Sequence, residues 1–228
     1  MAGGYSHYDA LDNVRRAVAD GRHRAVIGGL WDELGALQRD FLVSEGLKPH
    51  HCFIDMGCGS LRAGVPLTAY LDPGRYYGVD ISADLLDAGF EREIRPAGLE
   101  SKLPRANLAA NADFDASGFG VRFDYGIAQS VFTHMPISRL TDCLSALAPV
   151  YTPGGRFYAT YFERPADAAP DAPVAHEPGG VTTFPDRDPY DTTLAALRAA
   201  TPPGWSLEVI GDWNHPRDQQ MARFTRAG

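Results

Sequence analysis

Gly57 and Gly59 stand either side of Cys58, directly after the run Phe53-Ile54-Asp55-Met56 and directly before Ser60. An apolar run that ends on glycines reads as a strand breaking into a tight turn before a helix. Glycine there permits a positive φ and lets a ligand approach the backbone. A second acid, Asp80, ends the next apolar run, Tyr76-Tyr77-Gly78-Val79. A carboxylate at that place can accept from both hydroxyls of a ribose. Either feature alone is weak, but the glycine pair together with Asp80 points to a cofactor of adenosine type. A third cluster, Gln129-Ser130, closes a later apolar run, and His134 follows just ahead of Pro136. Histidine titrates near neutral pH, so this one could take a proton from a hydroxyl, or it could simply brace the turn.

Two cofactors fit these residues. A dinucleotide site keeps a third glycine for helix–sheet packing and holds a pyrophosphate at the helix N-terminus. Here that position is Arg62. An arginine in the first helical turn meets the positive end of the macrodipole, which costs about 0.3–1 kcal/mol. A ligand carboxylate would offset that cost, and S-adenosylmethionine has a carboxylate and no phosphate. The alternative is an Arg62 that is simply exposed, and the choice of cofactor does not hang on it.

The elements that must position these groups follow from periodicity. Ser6 and Asp9 make a helix start signal and Gly21 a stop, with Leu11, Val14 and Val18 as a thin apolar stripe. A second helix runs through residues 30–47, with Trp31, Leu34, Gln38 and Phe41 on one face. Gln38 either lies at the edge of that stripe in water or aims into a site below it. After Pro49, strands and helices alternate: HCFIDM, then a helix in SLRAGVPLTAYL, RYYGVD, then a helix capped by Ser82, a weak strand in ANLAANADF, and FDYGIAQS. A helix opened by Pro136 buries Ile137, Leu140, Leu144 and Leu147, and the Pro153-Gly154-Gly155 turn leads into RFYATYF. Such alternation implies a parallel sheet covered on both faces. Residues 163–180 show no periodicity and read as a long loop or flap. A helix in TTLAALRAA and strands in WSLEVI and QMARFT close the chain.

Composition narrows the classes of partner. With 228 residues, 44% hydrophobic and a formal charge of −8, the chain can bury one large core and offers no bulk attraction to nucleic acid or anionic lipid. Arg15, Arg16, Arg22, His23 and Arg24 read as a solvated helix face. The three cysteines lack metal-ligand spacing and read as buried residues in a reducing compartment. No stretch approaches the ~20 apolar residues of a membrane helix, and no signal core is visible at the N-terminus. The expectation is a cytoplasmic protein, monomer or homodimer, with no nucleic-acid or membrane partner.

Taken together, FIDMGCGS, YYGVDIS, AQSVFTHMP and TPGGRFYATYF resemble the class I S-adenosylmethionine-dependent methyltransferases of small-molecule type. WDELGALQRDFLVSEGL, GCGSLRAG and GDWNHPRDQQM are similar to a subgroup with an N-terminal helical cap. The resemblance spans most of the chain. It implies a doubly wound α/β fold, with a mostly parallel, seven-stranded Rossmann-like sheet ending in a reversed hairpin. Residues 1–48 would form the cap and 49–228 the cofactor-binding catalytic domain. It further implies that the methionyl group of S-adenosylmethionine lies against Asp55, Gly57 and Gly59, with Arg62 near its carboxylate. Asp80 would hold the ribose, Ile81 and Phe114 the adenine, and Asp113 the adenine amino group. Gln129 and Ser130 would lie beside the sulfonium. The subgroup's second glycine is replaced by Ala63. The implied product is S-adenosylhomocysteine, and no metal is implied.

The acceptor is less legible. AQSVFTHMP lacks the Asn/Asp-Pro-Pro-aromatic run of base-amino methyltransferases, which disfavours nucleic acid and favours a small molecule. Methyl transfer is mostly positioning, with a base needed only where the nucleophile must lose a proton, and His134 is the candidate. Trp31, Gln38, Tyr161, Glu163, Trp213 and His215 are the candidate acceptor-binding residues. Two alternatives stand beside methyl transfer to oxygen or nitrogen. One is a lyase that closes the cofactor on itself and releases methylthioadenosine. The other is a non-catalytic cofactor-binding subunit, which the full set of glycines, Asp80 and Asp113 disfavours.

Overall fold

The computed structural model describes residues 11–228. Helices α1 (Leu11–Ala19), α2 (His23–Val26) and α3 (Trp31–Ser44) precede the first strand, β1 (Phe53–Met56). Then come α4 (Gly64–Tyr70), β2 (Tyr76–Asp80), α5 (Ala83–Gly89), β3 (Leu108–Ala110) and β4 (Phe123–Ala128). After α6 (Ser138–Leu147) and β5 (Tyr151–Glu163) the chain forms β6 (Val174–His176), β7 (Val181–Thr183) and β8 (Asp191–Thr192). It closes with α7 (Leu194–Ala199), β9 (Trp205–Asp212) and β10 (Gln220–Arg226).

The main sheet runs β3-β2-β1-β4-β5-β10-β9, and two-residue β8 adds a short parallel pairing to the end of β5. Strands β1 to β5 pair in parallel, while β10 runs antiparallel to β5 and to β9. This is the doubly wound sheet with a reversed final hairpin. Strand β1 is buried at every position because helices cover both faces. Its neighbours β2 and β4 lie on opposite sides of it, so the strand order reverses at the ends of β1 and β4. A crevice opens at such a point.

Two apolar clusters fill the faces. Ile54, Met56, Leu140, Leu144, Phe157 and Phe224 belong to one, and Phe53, Leu42, Leu67, Leu86, Ile127 and Tyr158 to the other. Cys52, Cys58 and Cys143 are buried and free.

Several expectations change in detail. The first helix begins at Leu11 and buries Val14 and Ala17, leaving Leu11 exposed; the Ser6–Asp9 signal lies outside the described residues. The basic stretch is not a uniform solvated face, since His23 is buried and Arg24 binds Glu93 through two bonds of 2.6 and 2.7 Å. The helix expected from Ser60 starts only at Gly64, because residues 57–63 are spent on the turn. Helix α5 continues through a widened π turn, Phe90–Ile94. The Pro153-Gly154-Gly155 segment lies inside β5 as an irregularity in its pairing with β4, rather than before the strand. Residues 163–180 are not a plain loop, because β6 and β7 pair as an antiparallel flap. The reason lies outside local periodicity. Buried Arg164 binds Asp191 and the carbonyls of Pro170 and Ala172, folding the segment onto tertiary contacts.

Candidate active site

The turn after β1 shapes the site. Gly57 and Gly59 have φ of 73° and 54°, and a Cβ on Gly57 would meet Val131 at 2.4 Å. Gly57 N donates to Val79 O at 2.7 Å, closing the turn over β2. Gly59 N donates at 2.8 Å to Asp80 Oδ2, while Ser82 N donates at 2.8 Å to Oδ1. The carboxylate is thus held by two backbone groups, and its remaining lone pairs face a cavity of about 240 Å³ that Asp80 lines. Burial pushes Asp80 above the usual carboxylate range, against those two hydrogen bonds. Ser82 also caps α5, accepting from Leu85 N at 3.2 Å.

Asp55, at the end of β1, is buried and accepts from Tyr76 Oη at 2.7 Å. Burial raises its pKa to about 7, with the Tyr76 bond pulling the other way and Asp80 adding to the rise. A carboxylate buried this deeply, with Tyr76 only partly offsetting its desolvation, favours a cationic partner.

Of the expected cofactor residues, Asp55, Gly57, Gly59, Arg62, Asp80, Ile81, Phe114, Gln129 and Ser130 all line this one cavity. Asp113 does not: it is exposed, and its neighbours Asn111 and Ala112 line the wall instead. The Asn111 side chain organises that loop, taking Asp113 N and Asp115 N at 3.2 Å each on Oδ1. Phe114 sits at φ 58° with the Arg139 guanidinium 5.2 Å from its ring.

Arg62 is neither exposed nor in a helix. It is buried in the turn and donates to Ile27 O at 3.2 Å, Gly29 O at 2.9 Å and Gln129 Oε1 at 2.5 Å. It therefore joins the segment between α2 and α3 to the end of β4. The expected dipole penalty does not arise, since the guanidinium is given to carbonyls. Gln38 is buried, not solvated: its Nε2 donates to Leu34 O at 3.0 Å and the residue lines the cavity.

The other acceptor candidates are placed elsewhere. Trp31 packs on His23 and under the Arg24 guanidinium, outside the cavity wall. Tyr161 is buried in the sheet core and Glu163 is half-buried beyond it. Trp213 packs on Phe41 and donates to Gln219 O at 2.8 Å. His215 lies behind the wall, 3.2 Å from Gln129 Nε2, and its pKa falls to about 4 through burial, then Arg62, then Arg217. It belongs to a buried polar network in which Ser130 Oγ donates to Gln219 Oε1 at 3.0 Å and Ser130 N to Thr160 Oγ1 at 2.8 Å. That network holds Ser130 in a left-handed conformation at φ 59°.

His134 lines the cavity, with Nδ1 2.6 Å from Asp188 Oδ1. Sequence reasoning missed Asp188, Gln219, Ile27 and Met135. Met135 and Gln219 lie inside the quoted stretches AQSVFTHMP and GDWNHPRDQQM without being singled out, whereas Ile27 and Asp188 come from segments with no chemical signal of their own. Among the described residues no group of three His, Cys, Asp or Glu is placed to hold a metal ion, and no helix is long and apolar enough to cross a membrane.

Residues 54–157 match the family model of a methyltransferase domain. Among solved structures, magnesium protoporphyrin IX methyltransferase from Synechocystis PCC 6803 with bound SAM aligns over 95% of this chain and 97% of its own, at 18% identity and a TM-score of 0.62. The DhpI–SAM–HEP complex aligns over 100% of both chains, at 14% identity and a TM-score of 0.63. DesVI of Streptomyces venezuelae aligns over 86% of this chain and 93% of its own, at 16% identity and a TM-score of 0.60. The likeness to these structures is one of fold.

Proposed function

We propose that this chain, whose residues 54–157 match the family model of a methyltransferase domain, is an enzyme that binds S-adenosylmethionine and transfers its methyl group to an oxygen or nitrogen of a small-molecule acceptor. The carrying observation is the Asp80 carboxylate, buried and held by Gly59 N and Ser82 N at the wall of a cavity closed by a glycine turn. That arrangement suits a ribose diol, and the buried carboxylate of Asp55 suits the ammonium of the methionyl end. Solved structures of the same fold, magnesium protoporphyrin IX methyltransferase and DhpI, hold SAM or SAH.

The residues fit the cofactor in kind and in placement. Asp80 would hold the ribose, Ile81, Phe114 and Asn111 the adenine, and Asp55 with the 57–59 turn the methionyl group. When bound, S-adenosylmethionine supplies a methyl group made electrophilic by its sulfonium. The chain's own part is positioning. Ser130 and Gln129 form the wall at the end of β4, and His134 is placed beside them to take the proton of a hydroxyl acceptor. Helices α1 to α3 act as a cap, since Val14, Ile27 and Gln38 close the cavity from that side.

Calorimetry tests the cofactor: S-adenosylhomocysteine binds in the micromolar range and NAD far more weakly, and tight NAD binding without S-adenosylhomocysteine binding overturns the reading. A small-molecule extract supplied with S-adenosylmethionine labelled in its methyl group tests the reaction. The label enters an extract component; release of methylthioadenosine with no extract present would instead show the lyase.

A further inference from the structure

The turn after β4 and the loop beyond the flap meet at a pair of ionisable side chains far apart in sequence. His134 Nδ1 lies 2.6 Å from Asp188 Oδ1, and the two side chains are 22% and 16% exposed. Backbone bonds dock the loop: Tyr190 N donates to Thr133 O at 2.8 Å, Phe184 N to Pro189 O at 2.8 Å and Asp191 N to Phe184 O at 3.0 Å. Behind it, Asp191 accepts from Arg164 at 3.0 Å and from Thr183 Oγ1 at 2.7 Å. The flap itself is tied to the β9–β10 turn by His176 Nδ1 and Asp218 Oδ2 at 2.9 Å. Asp188 is therefore delivered by an anchored segment.

An ionised carboxylate only accepts, so the proton in this contact belongs to Nδ1, and the neutral imidazole then carries its basic lone pair on Nε2. We propose that Asp188 is a positioning residue for the reaction: it holds His134 in the tautomer and orientation in which Nε2 is the base. The inference rests on the methyl-transfer reading. In that step the acceptor oxygen bonds to the methyl carbon, the carbon–sulfur bond breaks with its electron pair left on sulfur, and the hydroxyl proton goes to Nε2. The positive charge passes from the sulfonium to an imidazolium that Asp188 stabilises. Because Asp188 comes from residues 184–190, the base is complete only when that loop is docked on Thr133.

Nitrogen NMR of histidine-labelled protein, saturated with S-adenosylhomocysteine at alkaline pH, reads the tautomer directly. The His134 signals are identified by their loss in His134→Asn. The expected result is a protonated Nδ1 and an unprotonated Nε2 in the native protein, with that preference lost in Asp188→Ala. Asp188→Asn, which preserves side-chain volume, serves if the alanine variant disturbs the loop, and unchanged S-adenosylhomocysteine affinity shows that the site remains folded. A native His134 protonated on Nε2, or His134 signals unmoved in both Asp188 variants, overturns the proposal. Label transfer in the extract separates the two layers. A full-rate His134→Asn overturns the base and the inference together. An impaired His134→Asn beside a full-rate Asp188→Ala overturns the inference alone. A tenfold or greater loss in both variants supports it.

Discussion

Asp80 and Asp55 lie on adjacent strands of one cavity, yet their surroundings give them different tasks. Asp80 spends one lone pair of each oxygen on a backbone N–H, which fixes its direction and leaves the others for hydroxyl donors. Asp80→Asn keeps a polar group for the turn but removes the charge, and S-adenosylhomocysteine binding should weaken by about 1.5–3 kcal/mol by calorimetry. Asp55 has a pKa raised to about 7, so below that pH it is protonated and a cationic ligand group must displace the proton. Cofactor affinity should therefore rise with pH up to about 7 and level off above it, and Asp55→Asn should flatten the dependence. A binding curve of the native protein that is flat from acid to neutral pH would remove Asp55 from the ammonium site. His134→Asn should lower methyl transfer at least tenfold while S-adenosylhomocysteine affinity stays unchanged, as removal of a general base requires.

At the scale of elements, the cap and the glycine turn depend on each other. Gly35 in α3 lies so close to the turn that an added Cβ would stand 2.9 Å from Arg62 O, and Arg62 in turn holds the carbonyls of Ile27 and Gly29. Gly35→Ala must push α3 away from the turn. Cofactor affinity should drop together with thermal stability, whereas Gly21→Ala, with nothing near its Cβ, strains only its own backbone at φ 75°. Deleting residues before Lys48 would strip Leu34 and Leu42 from the core, each worth ~1.5–3 kcal/mol. Gln38→Ala is the gentler test of the cap. It should retain the fold by circular dichroism and reduce cofactor or acceptor affinity, since Gln38 lines the cavity. Unchanged affinity for both would confine Gln38 to a packing role.

For the whole molecule, two buried groups of the site tilt stability with pH in opposite directions. His215 has a pKa lowered from 6.5 to about 4, so the unfolded chain gains its proton first as pH falls through that window. Stability is lost on the acid side by up to ~3 kcal/mol. Asp55 has a pKa raised from 3.8 to about 7, so the unfolded chain ionises first as pH rises, and stability is lost toward neutral pH by up to ~4 kcal/mol. The two slopes oppose each other between about pH 4 and 6.5. Denaturant unfolding across that window should show a shallow dependence for the native protein. His215→Gln should turn it into a loss with rising pH, and Asp55→Asn into a gain. Parallel curves for all three proteins would mean that neither group is held as far from its ordinary range as the structure indicates.

Strand–helix alternation from Phe53 onward, the glycine turn, Asp80 and the Ser82 cap were legible because each is a local property: periodicity, φ freedom and capping act over a few residues. The family resemblance, not these local properties, supplied the reversed final hairpin and most of the cofactor candidates. All of those candidates but Asp113 line the one cavity, where Asn111 and Ala112 stand in the wall and Asp113 is exposed. What only the tertiary structure decided are the long-range polar contacts. Arg62 reads as a misplaced helix-start charge until Ile27, Gly29 and Gln129 surround it. Trp213 and His215 read as pocket residues until the hairpin folds them behind Gln129. The flap at 174–183 has no periodicity because Arg164, Asp191 and His176 order it through side-chain bonds rather than an apolar stripe. Asp188 carries no signal near its own position, since its partner His134 lies 54 residues earlier, on the turn after β4. Hydrophobic period and turn chemistry are written along the chain, whereas a hydrogen bond between distant side chains exists only once the fold has brought them together.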